Sequence, residues 1–441
     1  PLSKRSARKR NAPARIARRN HYSPHPTIMN LPIKAPQSVK LDAENHLVLP
    51  PEILQDFGLE PGSEAVLRVT PEGITLHPPL SQLRKIYIEP TSHCNFSCRT
   101  CIRNAWGENR GTMNAGTFKR ILEAVKAFKS GPAIFFGGFG EPLTHPNILE
   151  MVREAALVAP RVELITNGVL LDENRARGLI EAGLSTLWVS LDGATPESFA
   201  DVRQSESFGE ILKNISRYRE LYRQMRGGTA DVGAVFVAMK SNINELPKLL
   251  DLSSRVGISR YMVTNILPYT PEMCSEVLYR HAIERVAWQA SPWHPHIDMP
   301  EIDLIPTTHE ALFRAWATRP GMMFKRHDRC PFIEQRSTAI SWDGYVSPCL
   351  ALLHSHENYL FEKKRSVTRW QIGNVDETPL VDLWNLAEYK QFRERVELFD
   401  FSPCTYCASC EMSEANQEDC FGNTFPACGG CLWAQGVVQC P

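Results

Sequence analysis

No run of about 18 consecutive apolar residues occurs anywhere in the 441-residue chain, so no transmembrane helix is expected. The basic opening lacks a following apolar core, which excludes a secretory signal and a twin-arginine reading of Arg18-Arg19. The cytoplasm is therefore the expected compartment. Net charge is missing too, with 49 Lys and Arg against 49 Asp and Glu. Its distribution is uneven, because the first 20 residues hold eight Lys or Arg and no acid. Residues 1–37 also lack the apolar periodicity of a folded element and read as a disordered basic tail. Such a tail is either simply solvated or touches nucleic acid or an acidic partner. The most informative absence is a cysteine: Cys94, Cys98 and Cys101 stand close together, and no other follows until Cys274. A structural zinc site wants four ligands.

What is present is ordinary globular composition, 43% apolar and 22% charged. The length suits two to four domains (~100–200 residues each). Thirteen cysteines are clustered, with the early trio, Cys274 alone, and nine from Cys330 to Cys440. In a reducing compartment this grouping favours metal or cluster ligation over disulfides.

Residues 38–79 contain short β-type runs at 38–41, 46–49, 65–70 and 73–77 around a helical turn at 51–57. Gly58, Pro61-Gly62 and Pro71-Glu72-Gly73 supply turns. So small a unit buries little surface alone, and pairing with a second copy is expected. Leu49-Pro50, Glu52-Ile53, Gly58 and Pro61-Gly62 resemble the pattern of the AbrB/MazE-type swapped-hairpin domains. That resemblance implies a dimeric module, in many members a DNA-binding one.

From residue 84 six apolar runs recur, at 85–90, 133–138, 162–168, 186–193, 231–238 and 260–266. Amphipathic stretches of helical length lie between them, at 117–129, 150–158, 173–182 and 209–225. Strand–helix alternation of this kind gives a parallel sheet. Six repeats over residues 80–289 predict a partial (β/α)6 barrel with its chemistry at the C-terminal strand ends. Cys94, Gly137 to Glu141, Asn167 and Asp192 all fall at such ends. Residues 290–327, rich in Pro and His, read as an irregular linker. Residues 328–441 carry nine cysteines and one expected helix, 380–398, and read as a fold held by metal rather than by a large core.

The trio fits two metal sites. Zinc needs a fourth ligand from elsewhere, for which Cys274 is remote, whereas a four-iron cluster leaves one iron open. The string "CNFSCRTC" resembles the CxxxCxxC signature of the radical S-adenosylmethionine (SAM) enzymes. "GGFGEP" (137–142), "ITNG" (165–168) and "VSLDG" (189–193) resemble further motifs of that family in its order. The resemblance implies a [4Fe–4S] cluster on Cys94, Cys98 and Cys101, with SAM on the open iron. It implies SAM contacts from Gly137, Gly138, Gly140, Glu141, Asn167, Ser190, Asp192 and Arg203. Asn167-Gly168 and Asp192-Gly193 read equally well as turns, and His93 and His145 read as structural. Thr100 departs from the family, which has an aromatic there that helps hold adenine. The implied reaction is reductive cleavage of SAM to a 5′-deoxyadenosyl radical, which abstracts hydrogen from substrate.

Gly344-x4-Cys349, "IGNVDETPLVDLWN" and the terminal cysteines resemble the SPASM domain, an appendage of radical SAM maturases. It implies one or two auxiliary [4Fe–4S] clusters on Cys330, Cys349, Cys404, Cys407, Cys410, Cys420, Cys428, Cys431 and Cys440. Order along the chain groups Cys404, Cys407, Cys428 and Cys440, leaving Cys330, Cys349 and Cys431 with Cys410 or Cys420; zinc is the rival metal. The whole combination resembles the radical SAM maturases associated with tungsten-dependent aldehyde ferredoxin oxidoreductase-type enzymes. It implies modification of a cofactor or polypeptide, an electron donor such as ferredoxin or flavodoxin, and a homodimer through the N-terminal domain. Two other readings remain open at this point. One is a maturase forming a thioether or C–C crosslink in a ribosomal peptide. The other is a DNA-binding iron–sulfur regulator, disfavoured by the near balance of acids and bases in 38–79.

Overall fold

The computed structural model describes residues 43–44, 46–51, 65–70, 73–77, 79–129, 131–280, 302–303, 305–318, 330–360, 362–405 and 410–440. The basic segment at 1–37 and the helical turn beyond Pro51 lie outside them. So does the run at 38–41. In residues 46–49 only Leu47 makes a bridge, and no strand forms. The later two runs do pair, β1 (Val66–Thr70) with β2 (Gly73–His77), antiparallel, Thr70 opposite Gly73.

The six expected strands form and lie side by side in chain order. They are β3 (Lys85–Ile88), β4 (Ala133–Phe136), β5 (Val162–Thr166), β6 (Thr186–Ser190), β7 (Val232–Ala238) and β8 (Arg260–Asn265). Every pairing among them is parallel. Their runs are continuously apolar because a parallel sheet is covered on both faces; all four residues of β4 are buried. Phe135 and Phe136 are there, and each such ring contributes roughly 2 kcal/mol on leaving water.

Between the strands run α1 (Ala115–Ala127), α2 (Ile148–Ala156), α3 (Glu173–Ala182), α4 (Pro196–Arg203), α5 (Phe208–Arg226) and α6 (Leu246–Val256). Their starts are written in the sequence. Asn114 accepts the Thr117 N–H at 3.0 Å, Asp172 accepts that of Arg175 at 2.8 Å, and Thr195 forms a capping box with Ser198. Gly183 ends α3 in the left-handed region at φ +88°.

Three expectations about the C-terminal part are corrected. The stretch 290–327 is not wholly irregular, because Pro306–Thr318 forms a helix, α7. Its proline occupies the first turn, where the missing N–H costs nothing. The segment after Cys330 shares the main core rather than depending on metal alone. After α8 (Pro331–Glu334), β9 (Ser337–Ile340) pairs parallel with β3. Then β10 (Tyr345–Ser347) and β13 (Gly373–Asn374) extend the same sheet antiparallel, with a separate hairpin of β11 (His356–Leu360) and β12 (Lys363–Val367). Strands of two to five residues are too short for periodicity to reveal. The single helix expected at 380–398 is two, α9 (Leu380–Asn385) and α10 (Ala387–Leu398). Leu386 between them is extended, and Asn385 Nδ2 bonds the Val381 carbonyl, the local competition for backbone that Asn favours.

Candidate active site and cysteine clusters

The chain leaves β3 through Glu89 and Pro90 and enters the cysteine loop. Thr91 Oγ1 bonds the Gly111 carbonyl and receives the His93 N–H. Asn104 Nδ2 bonds the Cys98 carbonyl, and the Arg99 N–H reaches Val202 at the end of α4. The loop is thus fixed from both sides. Each thiol also has a donor: Phe96 N to Cys94 Sγ at 3.4 Å, Arg203 Nη1 to Cys98 Sγ at 3.8 Å, and Arg103 Nε to Cys101 Sγ at 3.2 Å. Burial raises the pKa of Cys94 and Cys98, opposed by Phe96 and Arg103 at the first and by Arg203 at the second. Among the described residues no three ligands are already gathered at metal distance. The donor set nonetheless suits an iron–sulfur cluster, since each sulfur is supplied with the hydrogen-bond donors that a bound thiolate needs.

The glycine-rich turn after β4 packs directly on this loop. A side chain at Gly140 would put its Cβ 2.0 Å from the Thr91 carbonyl oxygen, and Gly138 sits at φ +120° against Glu89. Gly137 packs on Phe135 and Ile165. The Glu141 N–H donates to the His93 carbonyl at 2.8 Å. Glu141 is buried, and its carboxylate accepts from Leu143 N, Thr166 Oγ1 and Asn167 N at 3.0, 2.7 and 2.7 Å. It therefore ties the end of β4 to the end of β5. Asn167 in turn reaches Asn95 Oδ1 at 2.8 Å and approaches Cys94 Sγ at 3.9 Å.

Ser190 ends β6 half-buried. Asp192 is fully buried: Oδ1 accepts the Val237 N–H at 2.9 Å, and Oδ2 lies 2.6 Å from Arg203 Nη2. Burial works against the Arg203 charge, but Asp192 and Cys98 outweigh it and hold its pKa above the ordinary value. The Asp192 carboxylate expected to contact SAM is thus engaged with Arg203, which itself spans Asp192 and Cys98. Thr100 is half-buried. His93 is exposed. His145 spends both ring nitrogens on backbone, at Met113 and Asn147, which is a structural role.

In the C-terminal part a cavity of about 40 Å³ is lined by Cys330, Cys349, Cys428 and Cys431, with His356 and Arg365 beside them. Cys428, grouped by chain order with Cys404, Cys407 and Cys440, lines the cavity of the other set instead. Burial raises all four thiols, Cys330 to about 12. Four thiols on one cavity suit a fully ligated cluster. Cys404 lies outside it, near Arg365, Asp419 and Cys420. Cys410 is half-buried and Cys420 exposed, while Cys407 falls outside the described residues. Cys440 lies within electrostatic reach of Lys85 at the start of β3, its thiol raised to about 12 by burial. Its approach is pinned by Asn265 Nδ2 on the Val437 carbonyl and by the Gln439 N–H on Thr264 Oγ1. Cys274 stands apart, its thiol directed to the Thr270 carbonyl at 3.9 Å.

Sequence reasoning missed a buried network beside the cysteine loop. Glu89 Oε1 accepts the Phe139 N–H at 3.1 Å, and Oε2 lies 2.8 Å from His354 Nε2. His354 Nδ1 lies 2.7 Å from Glu108 Oε2, which Arg369 also approaches at 3.1 Å. The rings of Trp106 and Phe139 enclose His354. No spacing rule joins residues 89 and 108 to residue 354; only the doubled histidine of "HSH" (354–356) offered a signal.

Comparison with known proteins agrees with this geometry. Residues 88–252 match the Radical SAM superfamily model, and residues 330–411 match the SPASM iron-sulfur cluster-binding domain. The chain is 30% identical to the tungsten-containing aldehyde ferredoxin oxidoreductase cofactor-modifying protein of Pyrococcus furiosus, covering 81% of this chain and 97% of that one. A probable GTP 3′,8-cyclase of Methanococcus maripaludis is 25% identical over 61% of this chain and 85% of its own. Among solved structures, Streptococcus suis SuiB bound to its precursor peptide SuiA shares the fold, with a TM-score of 0.51 and 17% identity. That match covers 76% of this chain and 71% of SuiB. The chain is a radical SAM enzyme with a SPASM region, and it belongs to the family of the tungsten-containing aldehyde ferredoxin oxidoreductase cofactor-modifying protein.

Proposed function

We propose that this enzyme modifies the metal cofactor, or the polypeptide that carries it, during maturation of a tungsten-dependent aldehyde ferredoxin oxidoreductase-type enzyme. The observation that carries this reading is the 30% identity to the Pyrococcus furiosus cofactor-modifying protein, over 81% of this chain and 97% of that one. Cys94, Cys98 and Cys101 would hold the four-iron cluster, and the Gly137 to Gly140 backbone would hold the methionine end of SAM. When bound, that pair supplies the electron and the cleavable sulfonium bond. The chain's own residues set the stage. Glu141 and Asn167 lock two strand ends to the cysteine loop, and Arg203 keeps a fixed positive charge beside Cys98. Buried Tyr87, Phe135 and Trp188 fill the strand layer and help keep water out. The cavity cysteines and their neighbours would hold one auxiliary cluster.

A low-potential protein such as ferredoxin or flavodoxin is the electron donor in this reading. Residues 38–79 pair two copies or recruit the protein substrate, and the cytoplasm is the site of action. Among the described residues no helix is long and apolar enough to cross a membrane. The test is anaerobic reconstitution with iron and sulfide, then SAM, dithionite and the tungsten enzyme's apoprotein with its cofactor. About twelve iron per chain, three four-iron clusters, are expected, with 5′-deoxyadenosine released and a mass change on cofactor or polypeptide. A ribosomal peptide modified in its place, with cofactor and polypeptide unchanged, would overturn the substrate assignment.

A further inference from the structure

The Glu89–His354–Glu108 network belongs to no motif above, yet it joins the two halves of the molecule at the glycine-rich turn. Both imidazole nitrogens face carboxylate oxygens, so both carry protons and the ring is an imidazolium. Two roles suit such a chain of groups. Glu108 and Arg369 line an open cavity of about 310 Å³, which invites a proton path from solvent inward through His354 to Glu89. The inner end decides against it. The second oxygen of Glu89 is occupied by the Phe139 N–H, a donor that cannot take a proton onward. The network ends on the backbone of the turn between Gly138 and Gly140, so it fixes a position rather than moving a charge.

We propose that His354 is a positioning residue for SAM, pinning Glu89, and through it the Phe139 backbone, in the geometry that presents Gly137 to Gly140. The inference rests on the reading that this turn holds SAM. Burial opposes the imidazolium, but Glu89 and Glu108 outweigh it and raise the His354 pKa from the ordinary 6.5 to about 9. A group raised on folding stabilises fully below its unfolded value, and the contribution is lost as pH climbs through the folded one. The imidazolium's contribution to stability is therefore full below about pH 6.5, and in the folded protein the pin itself fails as pH rises through about 9. The charged or titratable groups facing it are Glu89, Glu108, Arg369 behind Glu108, and His356. Burial lowers the His356 pKa to about 4, so that ring stays neutral throughout.

The experiment compares the full-length reconstituted enzyme with His354→Gln and Glu108→Gln. A charge-assisted bond contributes about 1.5–3 kcal/mol, so His354→Gln is expected to raise KM for SAM about tenfold or more. kcat should stay within about twofold, as for lost uniform binding. Wild-type KM for SAM should rise through about pH 9, and the rise should vanish in His354→Gln. Glu108→Gln, which keeps the Glu89 contact, should move that rise to lower pH. Hydrogen exchange without SAM should show lost protection at the Phe139 amide in His354→Gln. Retained protection there, or a pH response that survives in His354→Gln, overturns the pin. Lost protection with an unchanged KM overturns the assignment of SAM to this turn, and the positioning role with it.

Discussion

The two cysteine regions solve opposite problems with the same ligand. The loop after β3 offers three thiols, two of them half-buried, and surrounds them with Arg103, Arg203 and Asn167. The C-terminal cavity offers four, two of them likewise half-buried, but among apolar side chains such as Phe332, Phe392 and Leu432, with Arg365 as its buried cation. A three-thiolate site leaves one iron for an exogenous ligand, and a polar rim suits a charged one. A four-thiolate site in an apolar pocket leaves none. The difference teaches that count and surroundings together, not cysteine alone, separate reactive from supporting metal sites.

The comparison breaks most sharply at Cys98. Cys98→Ala should abolish 5′-deoxyadenosine formation, measured chromatographically, and remove about four of about twelve irons per chain. Next in size, Cys428→Ala should also remove about four irons while deoxyadenosine release continues, because no residue of the cysteine loop lines that cavity. Cys440→Ala should leave the same cluster's electron paramagnetic resonance signal intact. Loss of one signal in both variants would restore the grouping by chain order. A smaller effect is expected at Asp192→Asn, which leaves the buried Arg203 without its carboxylate. Breaking such a pair costs about 3–5 kcal/mol, readable as a lower urea midpoint of the apoprotein. Cys420→Ser should change least, within about 0.5 kcal/mol for an exposed side chain, with unchanged iron content.

The barrel strands were legible because parallel strands are written as unbroken apolar runs, and the strand-end positions of Cys94, Gly138, Asn167 and Asp192 followed from them. The partners of those residues were not. Arg203 looked like a SAM contact, and only the fold brings it against Asp192 and Cys98, eleven and 105 positions away. Cys428 was assigned by order because spacing carries no information about which wall of a cavity a loop lines. The break at Leu386 escaped because one extended residue barely disturbs a helical pattern. Glu89 stood in plain sight before the loop, but its partners at 108 and 354 are set by tertiary contact alone.

The parallel pairing of β9 with β3 has a bearing on how the protein is handled. A cluster-bearing appendage invites removal as a separable module, to isolate the SAM-cleaving half. Here truncation at Cys330 would strip β3 of its neighbour and bare a buried, apolar strand edge at Ile86 and Ile88. Unpaired edges of that kind seek strands from other molecules, so the shortened enzyme should meet its end as aggregate before its chemistry could be assayed.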